Sequence, residues 1–216
     1  MEISKVEKVK FKKAMFKISF KNSRKSLIIS ADSVVKFFLK SGVDIPKAVY
    51  KEILFCDRLK SGISEALSLL SKRSYSVKSL QKRLVQRGYE IKSATEIIER
   101  LKELNYLNDK EYAKNCVAYL SKKGKGEFLI RVELERQGIE KDLINSVLEI
   151  IKTNEETSEQ IVKMLKTKFK NFDGKNKNEV RKATSFFLRR GFSCEDIAKA
   201  FRICSQCCDY VDTLNN

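Results

Sequence analysis

A helical unit is written three times in this chain, and that repetition restricts the possible architecture more than any other feature. Arg87-Gly88-Tyr89, Gln137-Gly138-Ile139 and Arg190-Gly191-Phe192 each follow an apolar residue four positions before the glycine: Leu84, Leu134 and Phe187. Beyond each glycine, apolar residues recur six, nine and ten positions on. They are Ala94, Ile97 and Ile98, then Ile144, Val147 and Leu148, then Ile197, Ala200 and Phe201. The glycines stand 50 and 53 residues apart. A period of that length belongs to stacked supersecondary units rather than to one enzyme core. Arrays of this kind present long surfaces, so the chain reads first as a binding protein.

Each repeat reads as three helices. In the first copy one helix ends near Leu70, a second covers Ser76 to Gln86, and a third runs from about Ser93 to Leu104. Ser76 suits an N-cap, and Gly88 suits the left-handed residue that closes a helix. The second copy spans roughly Asp109 to Ile151, with its middle helix from Glu127 to Gln137. The third spans roughly Ser158 to Ile203, with an enlarged loop at Asn171–Asn178. Thr153-Asn154-Glu155-Glu156 is a polar junction that suits a hinge. The only proline is Pro46, which opens a long helix running toward Ser71, and nothing after it forces a helix to break.

The first thirty residues have a different period. Val9 and Phe11 alternate with lysines, as do Phe16, Ile18 and Phe20, which is the pattern of half-buried strands. Asn22 to Lys25 suits a turn and Leu27-Ile28-Ile29 a short return strand. A short helix capped at Asp32 or Ser33 then runs through Leu39. The expected fold is therefore mainly α: three tandem three-helix repeats in an elongated curved array, with a small N-terminal sheet and a linking helix. The expected divisions are 1–62 for the sheet and the start of the linking helix, then 63–107, 108–153 and 154–216 for the repeats, the last with a C-terminal tail.

Charge points to the partner. The 216 residues carry 45 Lys and Arg against 28 Asp and Glu, a net +17. Residues 1–62 hold 15 basic and 6 acidic side chains, so they carry more than half of the excess. Such a field attracts polyanions, and phosphate contacts of this kind weaken steeply with salt. Lysine abundance alone would also serve solubility.

The residue inventory gives little purchase to catalysis. There is no histidine, which removes the commonest general base, the Ser–His and Cys–His pairs, and histidine metal sites. Lys123-Gly124-Lys125-Gly126 connects two helices and lacks the strand and spacing of a phosphate loop. It reads either as amides and lysines for phosphate or an acidic partner, or as a tight connection. Cys194 with Cys204, Cys207 and Cys208 offers a single CxxC on or after a helix, where spare or buried thiols fit better than zinc. Asp109, Glu111, Glu133 and Glu135 have the spacing of solvated helix faces paired with nearby cations. Tyr75, Tyr112 and Tyr119 are the candidate exposed rings, against a core role for all three. No apolar run approaches the roughly 20 residues that span a bilayer, and no signal-peptide core precedes the strands. A cytoplasmic protein with reduced thiols is expected.

Leu101 to Ala113, LKELNYLNDKEYA, resembles a hallmark of the RecX family, whose usual pattern there is close to LxELGYLDDxxFA. The likeness continues through Val117, Lys123-Gly124-Lys125-Gly126, Ile130, Leu134 and Gly138-Ile139. The family's first repeat is matched by Tyr75-Ser76, Leu80, Leu84 and Arg87-Gly88-Tyr89, and the likeness covers roughly residues 3–203. Asn105 and Asn108 replace the usual Gly and Asp. Ala118 and Leu120 stand where the family often has arginines.

The resemblance implies a non-enzymatic regulator of the RecA recombinase, without cofactor or metal and acting as a monomer. It implies binding to the RecA–DNA filament and suppression of ATP hydrolysis, filament growth and strand exchange, with single- or double-stranded DNA as a further partner. The residues expected to supply the contact surface are Lys72, Arg73, Lys82, Arg83, Arg87, Lys122, Lys123, Lys125, Arg131, Arg189 and Arg190. They are chosen because basic side chains recur beside the same helix ends. The competing reading is a stand-alone basic DNA-binding protein with no recombinase partner.

Overall fold

The computed structural model describes residues 1–10, 14–23, 26–152, 156–170, 172 and 176–212, and of 150–152, 156 and 205–212 the backbone alone. The chain divides into two compact units: Met1–Ser74 with Leu80–Leu107, and Tyr75–Ser79 with Asn108–Asn216.

The first unit opens with an antiparallel sheet in which β1 (Ile3–Lys8) pairs with β2 (Met15–Phe20), and β2 with β3 (Ser26–Ser30). Alternation sends Ile18, Phe20 and Ile29 inward, where they pack with Ile3, Leu39, Ile45 and Ile53, while Lys17 stays exposed. The first strand lies earlier than the Val9–Phe11 alternation indicates. Ile3 is fully buried and exchanges backbone bonds with the Gly42-Val43 segment, both at 2.9 Å, which fixes the strand there. Val9 instead donates to the Met15 carbonyl at 2.9 Å and closes the hairpin. Phe11, Lys12, Arg24 and Lys25 lie outside the described residues.

Helix α1 (Ala31–Lys36) is capped by Ser30 rather than by Asp32 or Ser33. Its Oγ accepts from the Ser33 amide at 3.4 Å, because Ser33 is already inside the first turn. The long helix α2 (Lys47–Leu70) starts directly after Pro46, as the sequence indicates. It buries Ile53, Gly62, Ala66 and Leu69. The first repeat continues with α3 (Val77–Gln86), whose first three residues belong to the second unit, and α4 (Ile91–Glu103). Gly62 lets α2 and α4 approach closely, since a methyl group there would fall 2.2 Å from Ile97 Cδ1.

The second unit holds α5 (Asp109–Lys122), α6 (Glu127–Arg136) and α7 (Lys141–Lys152), then α8 (Glu156–Lys168), α9 (Lys177–Arg189) and α10 (Cys194–Asp212). Each trio closes on its own core. The second repeat buries Ala113, Val117, Ile130, Leu134, Ile139, Ile144, Val147 and Leu148. The third buries Ile161, Leu165, Ala183, Phe187, Phe192, Ile197, Ala200 and Cys204. Burying one such Leu, Ile or Phe side chain is worth about 1.5–3 kcal/mol over leaving it exposed. The junction at 153–156 and most of the 171–178 loop lie outside the described residues.

The repeated glycine ends the middle helix in the same way three times. Gly88, Gly138 and Gly191 have φ of +90°, +77° and +84°. The following residue donates back to the apolar residue five positions earlier: Tyr89 to Leu84 at 3.2 Å, Ile139 to Leu134 at 3.1 Å, and Phe192 to Phe187 at 3.2 Å. Each glycine amide donates to the carbonyl three residues back at 2.9 Å. This pair of bonds is the Schellman closure, and it needs a left-handed residue that carries no side-chain penalty. Asn105 closes α4 likewise at φ +58°, with Tyr106 donating to Leu101 at 2.9 Å, so an Asn supplies the left-handed turn here.

Candidate partner-binding surface

The basic residues at helix ends fall into two groups, one in each unit. In the first unit Lys72 and Arg73 follow α2, Lys82 and Arg83 project from α3, and all four are exposed. Arg83 reaches Gln86 Oε1 at 3.4 Å. Arg87, at the end of α3, is held in an ion pair with Glu65 of α2, and Tyr89 Oη donates to the other Glu65 oxygen at 3.0 Å. The Arg87 hydrogen bond, against some desolvation, holds the Glu65 carboxyl below the usual carboxylate range. Burial pushes the Tyr89 phenol up. Arg58 of α2 donates to the Gly88 carbonyl and lies over the Tyr89 ring, 5.7 Å from its centroid.

In the second unit one junction gathers Lys122, Lys123, Lys125, Arg189 and Arg190. Helix α5 closes at Gly124, φ +69°, with Lys125 donating to Leu120 at 3.1 Å. Helix α6 then starts against the turn of the third repeat: Gly126 donates to the Arg190 carbonyl at 2.8 Å and Phe128 to the Gly191 carbonyl at 3.0 Å. Two amides at the start of α6 that the helix itself leaves unpaired thereby meet two carbonyls of the turn that closes α9. A methyl group on Gly126 would fall 2.3 Å from the Gly191 carbonyl carbon. The Arg190 guanidinium returns toward the Lys123 and Gly124 carbonyls, at 3.4 and 3.3 Å, and covers the Phe186 ring at 4.7 Å. Lys122 and Lys123 are exposed and Lys125 half-buried, and among the described residues no carboxylate pairs with any of the three. Arg189 is exposed and donates to the Ser185 carbonyl at 3.2 Å. Arg131 stands apart on α6, bound to Asn145 at 2.7 Å and Glu127 at 3.2 Å.

The same device recurs at Tyr75–Ser79. Ser76 Oγ accepts from the Ser79 amide at 3.1 Å, as an N-cap should, and donates to the Gln137 carbonyl at 2.6 Å. Asp109 Oδ1 accepts from the Val77 amide at 2.9 Å, so this carboxylate caps α3, and among the described residues it pairs with no cation. Lys78 lays its stem across Gly138. Sequence reasoning identified the Ser76 cap but missed its second partner 61 residues away. For the α6 junction a signal was available in the glycine pair of Lys123-Gly124-Lys125-Gly126: the first closes a helix, and the second permits backbone contact.

The three tyrosines separate. Tyr75 is buried, Tyr112 packs against the second-repeat core, and Tyr119 is 57% exposed with Lys123 Nζ 4.3 Å from its ring centroid. Cys204 is a core residue of the third repeat and Cys194 is exposed, while the side chains of Cys207 and Cys208 lie outside the described residues. Among the described residues no three His, Cys, Asp or Glu side chains converge as metal ligands, and no helix is long and apolar enough to cross a membrane. Arg136 bonds Glu133 at 2.8 Å and lowers its pKa, whereas burial raises that of Cys116.

Fold and surface together define a tandem three-helix-repeat protein with basic helix ends and a small N-terminal sheet. Residues 64–101 match the first three-helix domain of RecX and residues 108–148 the second. Regulatory protein RecX of Bacillus subtilis is 31% identical over 182 residues, which are 84% of this chain and 69% of that protein. Regulatory protein RecX of Legionella pneumophila strain Corby is 31% identical over 144 residues, 67% of this chain and 95% of that protein. The chain belongs to the RecX family. Two crystal structures share the fold: one of regulatory protein RecX, at TM-score 0.69 and 21% identity over 90% of this chain and 96% of that one, and one of RecX from Lactobacillus salivarius. The second has TM-score 0.63 and 24% identity over 70% of this chain and 99% of that one.

Proposed function

We propose that this protein regulates the RecA recombinase by binding the RecA–DNA filament, without catalysis of its own, and that binding inhibits ATP hydrolysis, filament growth and strand exchange. The observation that carries this reading is family membership, with identity spread along 182 residues to a protein named regulatory protein RecX. The physical support is a set of basic helix ends in both units. Weak contacts at several of them, made to one filament, add through effective concentration. A positive field speeds docking on an assembly that contains DNA.

The contact residues are Lys72, Arg73, Lys82, Arg83, Lys122, Lys123 and Lys125 with Arg189, whose side chains reach solvent. Arg87, Arg131 and Arg190 complete the set while also holding intramolecular bonds. Reversing Lys82, Arg83 and Arg87 together breaks the Glu65 pair as well, so Lys82→Glu with Arg83→Glu is the cleaner variant. Its affinity for RecA filaments in co-sedimentation falls about tenfold or more. Wild-type affinity with a native circular dichroism spectrum would remove α3 from the contact surface.

A second reading, the stand-alone DNA binder, draws on the 15 basic residues of 1–62 and on exposed Lys8 and Lys17 of the sheet. It requires binding to naked DNA with steep salt dependence and no preference for filaments.

A further inference from the structure

The end of α5 combines features that no other described aromatic residue combines. Tyr119 is 57% exposed; Phe38, Phe128 and Tyr106 are at least as exposed, but among the described residues Tyr119 is the exposed ring with a cation over it. Lys123, one turn on, places its ammonium 4.3 Å from the ring centroid, and Lys122 lies beside it three residues on. Lysines 122, 123 and 125 have no carboxylate partner among the described residues. Among the described residues their positive charge is left unpaired.

A helix C-terminus is an unpromising place for a phosphate, because its free carbonyls carry the negative end of the helix dipole. Here that end is covered. The Arg190 guanidinium lies against the Lys123 and Gly124 carbonyls at 3.4 and 3.3 Å, and the Gly124 and Lys125 amides close back on Ser121 and Leu120 at 2.8 and 3.1 Å. With those carbonyls covered, the lysines are the described charges left beside Tyr119.

An exposed ring flanked by lysines that no described carboxylate pairs fits a nucleic-acid strand whose bases are free to stack and whose phosphates follow the cations. A duplex hides its base faces, and a folded acidic protein has no need of the ring. We infer that Tyr119, with Lys122, Lys123 and Lys125, forms a stacking platform for single-stranded nucleic acid. The three lysines are also among the filament contacts proposed above, so the platform is tested without the recombinase.

The test uses the full chain without recombinase and a fluorescent 20-nucleotide oligothymidylate, read by anisotropy across a salt series. Tyr119→Ala weakens binding roughly tenfold, the worth of one base–aromatic stack, while Tyr119→Phe stays within about twofold of wild type. On an abasic strand of equal length, wild type and Tyr119→Ala bind alike. Lys122→Gln with Lys123→Gln flattens the salt dependence by roughly one unit of slope or more. Equal oligothymidylate affinity for Tyr119→Ala and wild type, both natively folded, overturns the platform. So does loss of filament binding by Tyr119→Ala with strand binding intact, which makes the patch a protein contact. Failure of filament binding in every variant and in wild type bears on the recombinase reading and leaves the strand measurement to stand or fall separately.

Discussion

Gly126 stands where a methyl group would fall 2.3 Å from the backbone of Gly191, and nothing at that distance is the movable end of a side chain. Gly126→Ala must therefore push the start of α6 off the third-repeat turn and stretch the bonds to Arg190 and Gly191. Overpacking of this kind costs about 1–3 kcal/mol, to be read as a lowered midpoint in urea denaturation. Unchanged stability would mean that α6 does not rest on that turn. Arg190 illustrates why basic residues resist interpretation from sequence. Its charge matches that of Lys123, yet it is bound to carbonyls 66 and 67 positions earlier, while Lys123 lies over the ring of Tyr119, one turn before it. Spacing along a helix cannot foretell such partners. Arg87, whose carboxylate lies 22 residues away, is the same case.

At the scale of elements, Glu65 ties α2 to the turn that ends α3. Its carboxyl is held low chiefly by the Arg87 hydrogen bond, so the ionised form favours the fold. The contribution is present above the ordinary carboxylate range and is lost as pH falls through the lowered value. With side chains 29% and 40% exposed, the pair is worth no more than about 1 kcal/mol. Glu65→Gln should lower stability at pH 7, and the gap to wild type should narrow once pH drops below about 4. Denaturation at both pH values checks it, and a gap that persists in acid contradicts the pairing. Elements were legible where period alone decides them. The apolar residues four before and six, nine and ten after each repeat glycine are buried, Phe201 only partly, because one helical spacing fixes both helix and core. The first strand was not legible, since Val9 and Phe11 keep period two whereas Ile3 and Val6 stand three apart, with an irregularity between Ile3 and Lys5 taking up the odd residue. Pairing with Phe20 and with Val43 makes the choice, and neither is local.

For the whole molecule, the net +17 is unevenly held, with 15 basic against 6 acidic residues before position 63. Much of that charge is solvated or lightly paired, as in Lys5–Glu7 at 2.7 Å. Charge supports a polyanionic partner in general; the repeats and their family supply the reason to look at a recombinase filament in particular. The site was half legible for that reason. Which helix ends are basic could be read directly, but which cations hold intramolecular bonds and which rings are exposed depended on tertiary contacts. The decisive measurement is ATP hydrolysis by the cognate RecA on single-stranded DNA, with this protein titrated from far below filament stoichiometry. The account predicts inhibition at substoichiometric amounts. Undiminished hydrolysis at saturating amounts, with DNA binding intact, would contradict it and leave the stand-alone DNA binder in its place.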